Sequence, residues 1–280
     1  MKLAAYIRLF RLEHAFMLCI AVLLGQLLFA GQLAPAHLLL ASLAVPLFLQ
    51  MASFALNDFL DQATDRENKR MDRPLAAGEI SPSFALYSSA ACFAAGIFAA
   101  SFLPHTAFLI SVAFAVFSVL YNFVLKDLPL VGNVYIALSM AIPFVFGNLV
   151  LSDQIDPKIL SISAVAFVAG LGREIVKSAE DVKGDVLHRK SRTLPALIGI
   201  KKSCILAAIL YFSLLPLSFI PFLLGLHANL LSVLLVASCA FFFSVLAVQL
   251  AVGRCDFASA RKTSLWLLFV GLAGYAASLL

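Results

Sequence analysis

The sequence predicts an all-α polytopic membrane protein, a bundle of about nine transmembrane helices. Three observations predict it. The 280-residue chain is 62% hydrophobic and 12% charged, with a mean hydropathy of +1.01, whereas a soluble domain keeps about 25% charged residues. The apolar residues fall in runs of roughly 20, the length that crosses a bilayer. The charges gather in the connections between alternate runs. One soluble core cannot bury this apolar excess, and in lipid a helix satisfies its backbone within its own run.

The expected spans, in order, are 14–31, 36–56, 82–102, 105–125, 130–150, 159–177, 203–222, 229–251 and 263–280. Arg8, Arg11 and Glu13 precede the first, and no convincing cleavage site follows it, so the first span is expected to be retained. Pro46, Pro143 and Pro216 fall inside spans, where a bundle tolerates the kinks they predict. Cys19, Cys92, Cys204, Cys239 and Cys255 form no close pair and read as small buried hydrophobes rather than metal ligands or disulfides.

Alternating these spans puts 19 of the 20 Lys and Arg on one side, with Lys158 the exception. The positive-inside rule then places the N-terminus and the basic loops in the cytoplasm of a multi-pass protein of the cell membrane. The net charge of +5 needs no nucleic acid to explain it. Thirteen of the 15 acidic residues share the basic side, with Asp153 and Asp156 the exceptions. Function is therefore sought at that face. Its two richest loops, 57–81 and 178–202, each follow the second helix of a four-helix group. This suggests a single domain, 1–280, built as a pseudo-repeat of 1–126 and 127–251 with a last helix at 263–280.

The end of the second span reads Asn57-Asp58-Phe59-Leu60-Asp61-Gln62-Ala63-Thr64-Asp65. Asn57, Asp61 and Asp65 are spaced i, i+4, i+8 and line one helix face. Carboxylates crowded at a membrane edge repel unless a cation neutralises them. Mg²⁺ takes such oxygen ligands and is commonly completed by substrate phosphates. Asp58 stands about 100° off that face and is a candidate accessory group. Arg66, Lys69, Arg70 and Arg73 follow at once. Carboxylates for a metal beside guanidiniums for phosphate favour a diphosphate site over a simple cation site, though the basic residues alone also fit a solvated loop that sets topology.

The second candidate motif runs from Arg173-Glu174 through Lys177 and Glu180-Asp181 to Gly184-Asp185. Asp181 and Asp185 repeat the i, i+4 carboxylate pair. Lys177 and Arg173 lie one and two turns earlier on nearly the same face, as candidate diphosphate contacts. Glu174 and Glu180 read as structural partners of neighbouring bases. One such acidic pair is weak, but two at matching places in two halves would hold Mg²⁺ ions around one diphosphate and stabilise its charge as it leaves. The expected catalytic residues are therefore Asp61, Asp65, Asp181 and Asp185, with Asn57 joining them as a metal ligand.

At these residues the sequence resembles the UbiA-type prenyltransferase superfamily. The first motif matches that family's NDxxDxxxD, continued by Asp72-Arg73-Pro74-Leu75 and Gly78-Glu79-Ile80-Ser81, and the second matches its DxxxD. Arg173-Glu174-Ile175 through Gly184-Asp185 looks most like the archaeal digeranylgeranylglyceryl phosphate synthase branch. So do Tyr121-Asn122, Leu125-Lys126, Pro129 and Gly132-Asn133. Ser178 departs from that branch, which often carries Asp there.

The resemblance implies a bundle around a central cavity open sideways to lipid, with Mg²⁺ as the cofactor. It implies diphosphate contacts from Arg73 and Lys126, although Lys126 also reads as a topology charge. Tyr121 faces an allylic cation or the diphosphate, or is a plain cavity wall. The partners it implies are a prenyl diphosphate, geranylgeranyl or similar, and a lipophilic acceptor. The leading reaction is geranylgeranyl transfer to geranylgeranylglyceryl phosphate in ether-lipid synthesis. The alternative is an aromatic acceptor of quinone biosynthesis. His188 reads as an ordinary loop histidine, and no general base is nominated. A transporter is disfavoured because the span midpoints carry almost no charge. Gly170-Leu171-Gly172 lies in an apolar run after no strand and is discounted as a dinucleotide motif.

Overall fold

The computed structural model describes residues 2–67, 69–184 and 193–280, and the side chains of 3–67, 69–180 and 193–280. It opens with an element the apolar runs did not announce. Helix α1 (Lys2–Phe10) lies against the bundle with Leu9 and Ala5 buried on Ala55, Leu75, Ile80 and Ala85. Arg11 then takes a left-handed conformation, φ 44°, and this turns the chain into α2 (Leu12–Ala30). The next helices are α3 (Ala36–Leu60), α4 (Gln62–Glu67), α5 (Pro82–Ala100) and α6 (His105–Phe123). A 3₁₀ turn (Leu125–Asp127) leads to α7 (Val131–Leu149) and α8 (Pro157–Gly184). The chain finishes with α9 (Leu194–Ile198), α10 (Ile200–Leu217), α11 (Ile220–Leu223), α12 (Leu230–Ala251) and α13 (Phe257–Ala277).

Each expected span falls on one of these helices except 203–222, which covers α10 and runs on into the short α11. Among the described residues, eight are long and apolar enough to cross a bilayer. The ninth, α13, begins with Arg261 and Lys262 and is more polar at that end. The helix ends carry the chemistry that stops helices. Gly31 closes α2 at φ 69°. Ser81 caps α5, with Pro82 in its first turn. Asn229 and Ser232 form a capping box on α12, and Asp256 caps α13 by accepting from Ser259 N at 2.9 Å. Helices α3 and α7 run through Pro46 and Pro143, whereas α10 ends directly after Pro216.

Helix pairing follows from small residues, because apolar side chains gain little from leaving lipid for one another. The α2–α7 crossing joins the two groups of helices. There a Cβ on Gly25 would sit 2.3 Å from Phe144 O, and one on Gly147 would sit 2.3 Å from Val22 O. Each backbone rests on the other's glycine. Gly172 of the discounted glycine pair has the same kind of role: a Cβ there would meet the Tyr211 ring at 2.5 Å. Around this crossing α3 packs on α2, α5 and α6, while α8 packs on α7, α10 and α13.

Side-chain contacts show that alternate connections share an end. Lys126 meets Asp61, Asn133 meets Ser178, and Arg261 meets Glu180 at one end. At the other, Thr106 meets Asp153 and Asn229 meets Ala277 O.

Candidate active site

The first motif sits where α3 ends. Asp61 leaves the helical region only slightly, at φ −90° and ψ 2°. The backbone bonds Asp61 N to Asn57 O (2.9 Å) and Asp65 N to Asp61 O (2.8 Å) carry the register across into α4. Asn57, Asp61 and Asp65 therefore stay on one face. Asp61 and Asp65 are buried, at 7% and 5% exposure. Asn57 Nδ2 donates to Asp61 Oδ2 at 3.0 Å, and Lys126 Nζ donates to Asp61 Oδ1 at 2.7 Å. Lys126 reaches Asp61 from the 3₁₀ turn. Gly132 lets α7 start close against that turn: a Cβ there would lie 3.1 Å from Leu125 O. This explains the Lys126 and Gly132 spacing in physical terms.

Asp58 lies on a neighbouring face and is 1% exposed. Its Oδ1 accepts from Arg73 Nη1 and, at 3.2 Å, from Arg11 Nη2. Its Oδ2 is buried, with no hydrogen-bond partner among the described residues. The Arg11 guanidinium also lies over the Phe54 ring, 4.1 Å from its centroid, a favourable cation–π placement. Burial first, then the charge of Arg73, pulls Arg11 below the ordinary guanidinium range, against the opposing field of Asp58.

The loop that delivers Arg73 is itself ordered. Arg70 N bonds Asp65 O at 2.9 Å, Leu75 is buried, Gly78 turns at φ 74°, and Glu79 pairs with Arg8 of α1. The Asp72-Arg73-Pro74-Leu75 and Gly78-Glu79-Ile80-Ser81 strings thus encode an anchor, a turn, an arm contact and a helix cap. Asp72 is held below the usual carboxylate range by its paired hydrogen bonds from Arg70, both 3.1 Å.

The second motif occupies the long α8. Glu174, 5% exposed, takes Arg173 Nη1 at 2.7 Å and Lys177 Nζ at 3.6 Å. Glu180 takes Arg261 Nη1 at 3.4 Å. Glu174 thus has the neighbouring partners expected of it, whereas Glu180 pairs with a base of the distant α13. Arg173 keeps its Nε buried, with no hydrogen-bond partner among the described residues. Ser178 accepts from Asn133 Nδ2 at 2.8 Å, and the same amide group donates to Glu174 O at 3.0 Å. The stretch from Lys126 to Asn133 thus touches the first motif at one end and the second at the other. Asp181 lies on the last described turn of α8, with its side chain outside the description. Asp185 and His188 lie outside the described residues.

Tyr121 stacks on Tyr135 with centroids 4.8 Å apart. Asn122 donates to Ser118 O at 2.9 Å and reaches Ser53 Oγ at 3.4 Å, tying α6 to α3 a turn before Asn57. The spacing of the carboxylates did not single out Arg11, Asn122 or Asn133, because each acts across tens of residues of sequence. Asn122 and Asn133 stood out in the sequence only as members of the strings that carry the resemblance.

Among the described residues no three acidic or metal-ligating side chains close into a cage. An open carboxylate pair completed by water and phosphate oxygens is how Mg²⁺ is commonly held. Asp61, Asp65 and the Asn57 amide oxygen are donors of that kind, so the site's chemistry fits the ion. A separate apolar cavity of about 140 Å³ lies deeper, lined by Met17 and Ala21 of α2, Phe144 of α7, Ala169 of α8, Phe243 of α12 and Leu272 of α13. Ile20 of α2 and Phe269 of α13 also line it and are exposed, so it opens sideways between α2 and α13. Neither Tyr121 nor Asp58 lines it.

Buried carboxylates and guanidiniums at one end of a helical membrane bundle, above an apolar cavity, define an integral membrane protein with a charged site at the end of its bundle. The chain belongs to the UbiA prenyltransferase family, which residues 18–272 match. The digeranylgeranylglyceryl phosphate synthase of Archaeoglobus fulgidus is 37% identical over 160 residues, 57% of this chain and 54% of that protein. The alignment thus spans about half the length of that relative. The same enzyme of Methanoculleus marisnigri is 34% identical over 79% of this chain and 78% of its own. A solved structure concerned with digeranylgeranylglyceryl phosphate synthase superposes with a TM-score of 0.83 at 25% identity, covering 99% of this chain and 98% of that one.

Proposed function

We propose that this chain is a Mg²⁺-dependent prenyltransferase that moves a geranylgeranyl group from its diphosphate to the hydroxyl of geranylgeranylglyceryl phosphate, forming an ether. The observation that carries it is the buried Asp61–Lys126 pair on a face shared with Asn57 and Asp65. It sets a carboxylate for a metal against an ammonium for phosphate within 2.7 Å, at the end of the bundle where the second motif also emerges. The names of the relatives supply the substrates.

In this reading Asn57, Asp61 and Asp65, together with Asp181 and Asp185, would hold Mg²⁺. When bound, the ion offsets the charge growing on the leaving diphosphate. Lys126 shifts from Asp61 toward the diphosphate oxygens. Arg73 and Arg173 supply further charge-assisted contacts, and Lys177 joins them from α8. The C1–O bond of the prenyl diphosphate breaks, leaving diphosphate and an allylic cation. The apolar walls keep water from that cation. The acceptor oxygen then bonds to C1 and loses its proton. Stacked on Tyr135, Tyr121 is a fixed aromatic surface at this end of α6.

The same reading places the motif end and the N-terminus in the cytoplasm, from the segregation of the basic residues. It divides the single domain into a pseudo-repeat, 1–126 and 127–251, with the last helix added. The matching neighbour pairs α2–α3 and α7–α8 support that division. The test is to incubate the purified protein with labelled geranylgeranyl diphosphate and Mg²⁺. Geranylgeranylglyceryl phosphate, 4-hydroxybenzoate and a dihydroxynaphthoate are offered in parallel, with EDTA as control. Ether product with the first acceptor is expected. Product only with an aromatic acid would overturn the acceptor assignment, and product with EDTA present would overturn the metal.

A further inference from the structure

Asp58 and Arg11 do not belong to the carboxylate ladder, yet they build a second charged site beside it. One carboxylate that is 1% exposed receives two guanidiniums, from Arg73 and Arg11. The cluster therefore carries a surplus positive charge in a place where water is scarce. A single carboxylate satisfies neither fork, since each guanidinium has five donors.

Arg11 is held there at some cost. Its left-handed backbone, φ 44°, is one that residues other than glycine rarely adopt. His14 N bonds Arg11 O at 2.9 Å, Leu9 anchors the preceding helix, and Phe54 lies under the guanidinium. The ring of His14 meets the same Phe54 edge-on at 5.5 Å. Asp58 stands three residues before Asp61 on α3, on a neighbouring face, so the two anion-facing sites lie side by side. Arg11 opens α2, and Met17 and Ala21 further along α2 line the sideways cavity. Six residues of helix put Arg11 about 9 Å above Met17.

From this placement we infer that Arg11 is a specificity-determining residue that binds the anionic head group of the acceptor, with Asp58 as the positioning residue that aims it. The inference rests on the prenyltransferase reading above. It adds that the acceptor is selected for a phosphate or carboxylate set over the α2 side of the cavity, while the prenyl diphosphate occupies the Asp61–Lys126 side. A phosphate-headed lipid and an aromatic acid present the same anionic chemistry, and the experiment separates them.

Full-length wild type, Arg11→Gln and Arg11→Lys would be assayed in lipid nanodiscs with two acceptor pairs. One pair is geranylgeranylglyceryl phosphate and its dephosphorylated alcohol; the other is 4-hydroxybenzoate and 4-hydroxybenzyl alcohol. For whichever pair the wild type uses, Arg11→Gln is expected to raise KM for the anionic member by about 10- to 100-fold, the worth of a charge-assisted contact. It should abolish the preference for the anionic over the neutral member and leave KM for the prenyl diphosphate nearly unchanged. Arg11→Lys is expected to fall between, and it decides the matter if the Gln variant does not fold.

Binding is read independently of turnover, as the rise in thermal midpoint that each anionic acceptor gives to the wild type and fails to give to the variant. An equal rise in both KM values, or an undiminished preference for the anionic member, would overturn the assignment. Wild-type turnover or binding of the aromatic acid alone would instead overturn the ether-lipid acceptor and leave Arg11 to be judged on that pair.

Discussion

Replacing Asp61 with Asn tests the site most directly. The substitution keeps the shape and one oxygen to accept from Lys126 (2.7 Å), while the new amide nitrogen faces Asn57 (3.0 Å), whose side chain can turn its own oxygen to accept, but it removes the charge. Asp61 and Asp65 are one helical turn apart and both buried, so neutralising one relieves repulsion and offsets the weaker bond to Lys126. The net change in stability is expected to be small, below about 1 kcal/mol. Catalysis responds differently, because the charge is needed when the leaving diphosphate develops its own. Removing one preorganised electrostatic stabiliser typically costs about 10²–10³ in kcat, and loss of a metal ligand belongs at the upper end. The assay is single-turnover transfer of labelled geranylgeranyl at rising Mg²⁺, alongside a thermal melt in detergent. Activity within about tenfold of wild type at saturating Mg²⁺ would refute the role of the ladder, since a merely structural Asp61 has no claim on so large a stabilisation.

Four further outcomes are expected. Asp58→Ala leaves Arg11 and Arg73 without their shared carboxylate, and it should lower the stability by about 3 kcal/mol, read as a fall in thermal midpoint; no fall would show that the cluster is solvated. Lys126→Met should raise KM for the prenyl diphosphate more than KM for the acceptor in steady-state assays, and the reverse order would remove Lys126 from the diphosphate. Gly147→Val places a side chain where even a Cβ would sit 2.3 Å from Val22 O. Gel filtration should show it unfolded or aggregated, or its midpoint lowered by overpacking worth about 1–3 kcal/mol or more. Chelation with EDTA should stop transfer and added Mg²⁺ should restore it, followed by release of labelled diphosphate.

The nine spans were legible because lipid leaves an apolar run of that length no choice but a helix. The face shared by Asn57, Asp61 and Asp65 was legible because a helical period is local, and it survived the break at Asp61 through backbone bonds to residues four positions back. The pairing of Glu174 with Arg173 and Lys177 was readable for the same reason. The amphipathic arm α1 was too short to register as a span, and its role emerges only where Leu9 meets Leu75 across the chain. Gly172 was visible only as half of a discounted nucleotide motif, because nothing near it in sequence announces Tyr211.

Composition and periodicity by themselves determined a helical membrane bundle with acidic helix ends on its basic side, since hydrophobicity, charge and helical spacing are properties of neighbouring residues. The tertiary structure alone decided which charges meet: Lys126 crosses 65 residues to Asp61, and Arg11 crosses 47 to Asp58. Those pairings depend on how glycine-lined helices cross and where connections return, and geometry of that kind is fixed by packing between distant segments rather than by any local pattern.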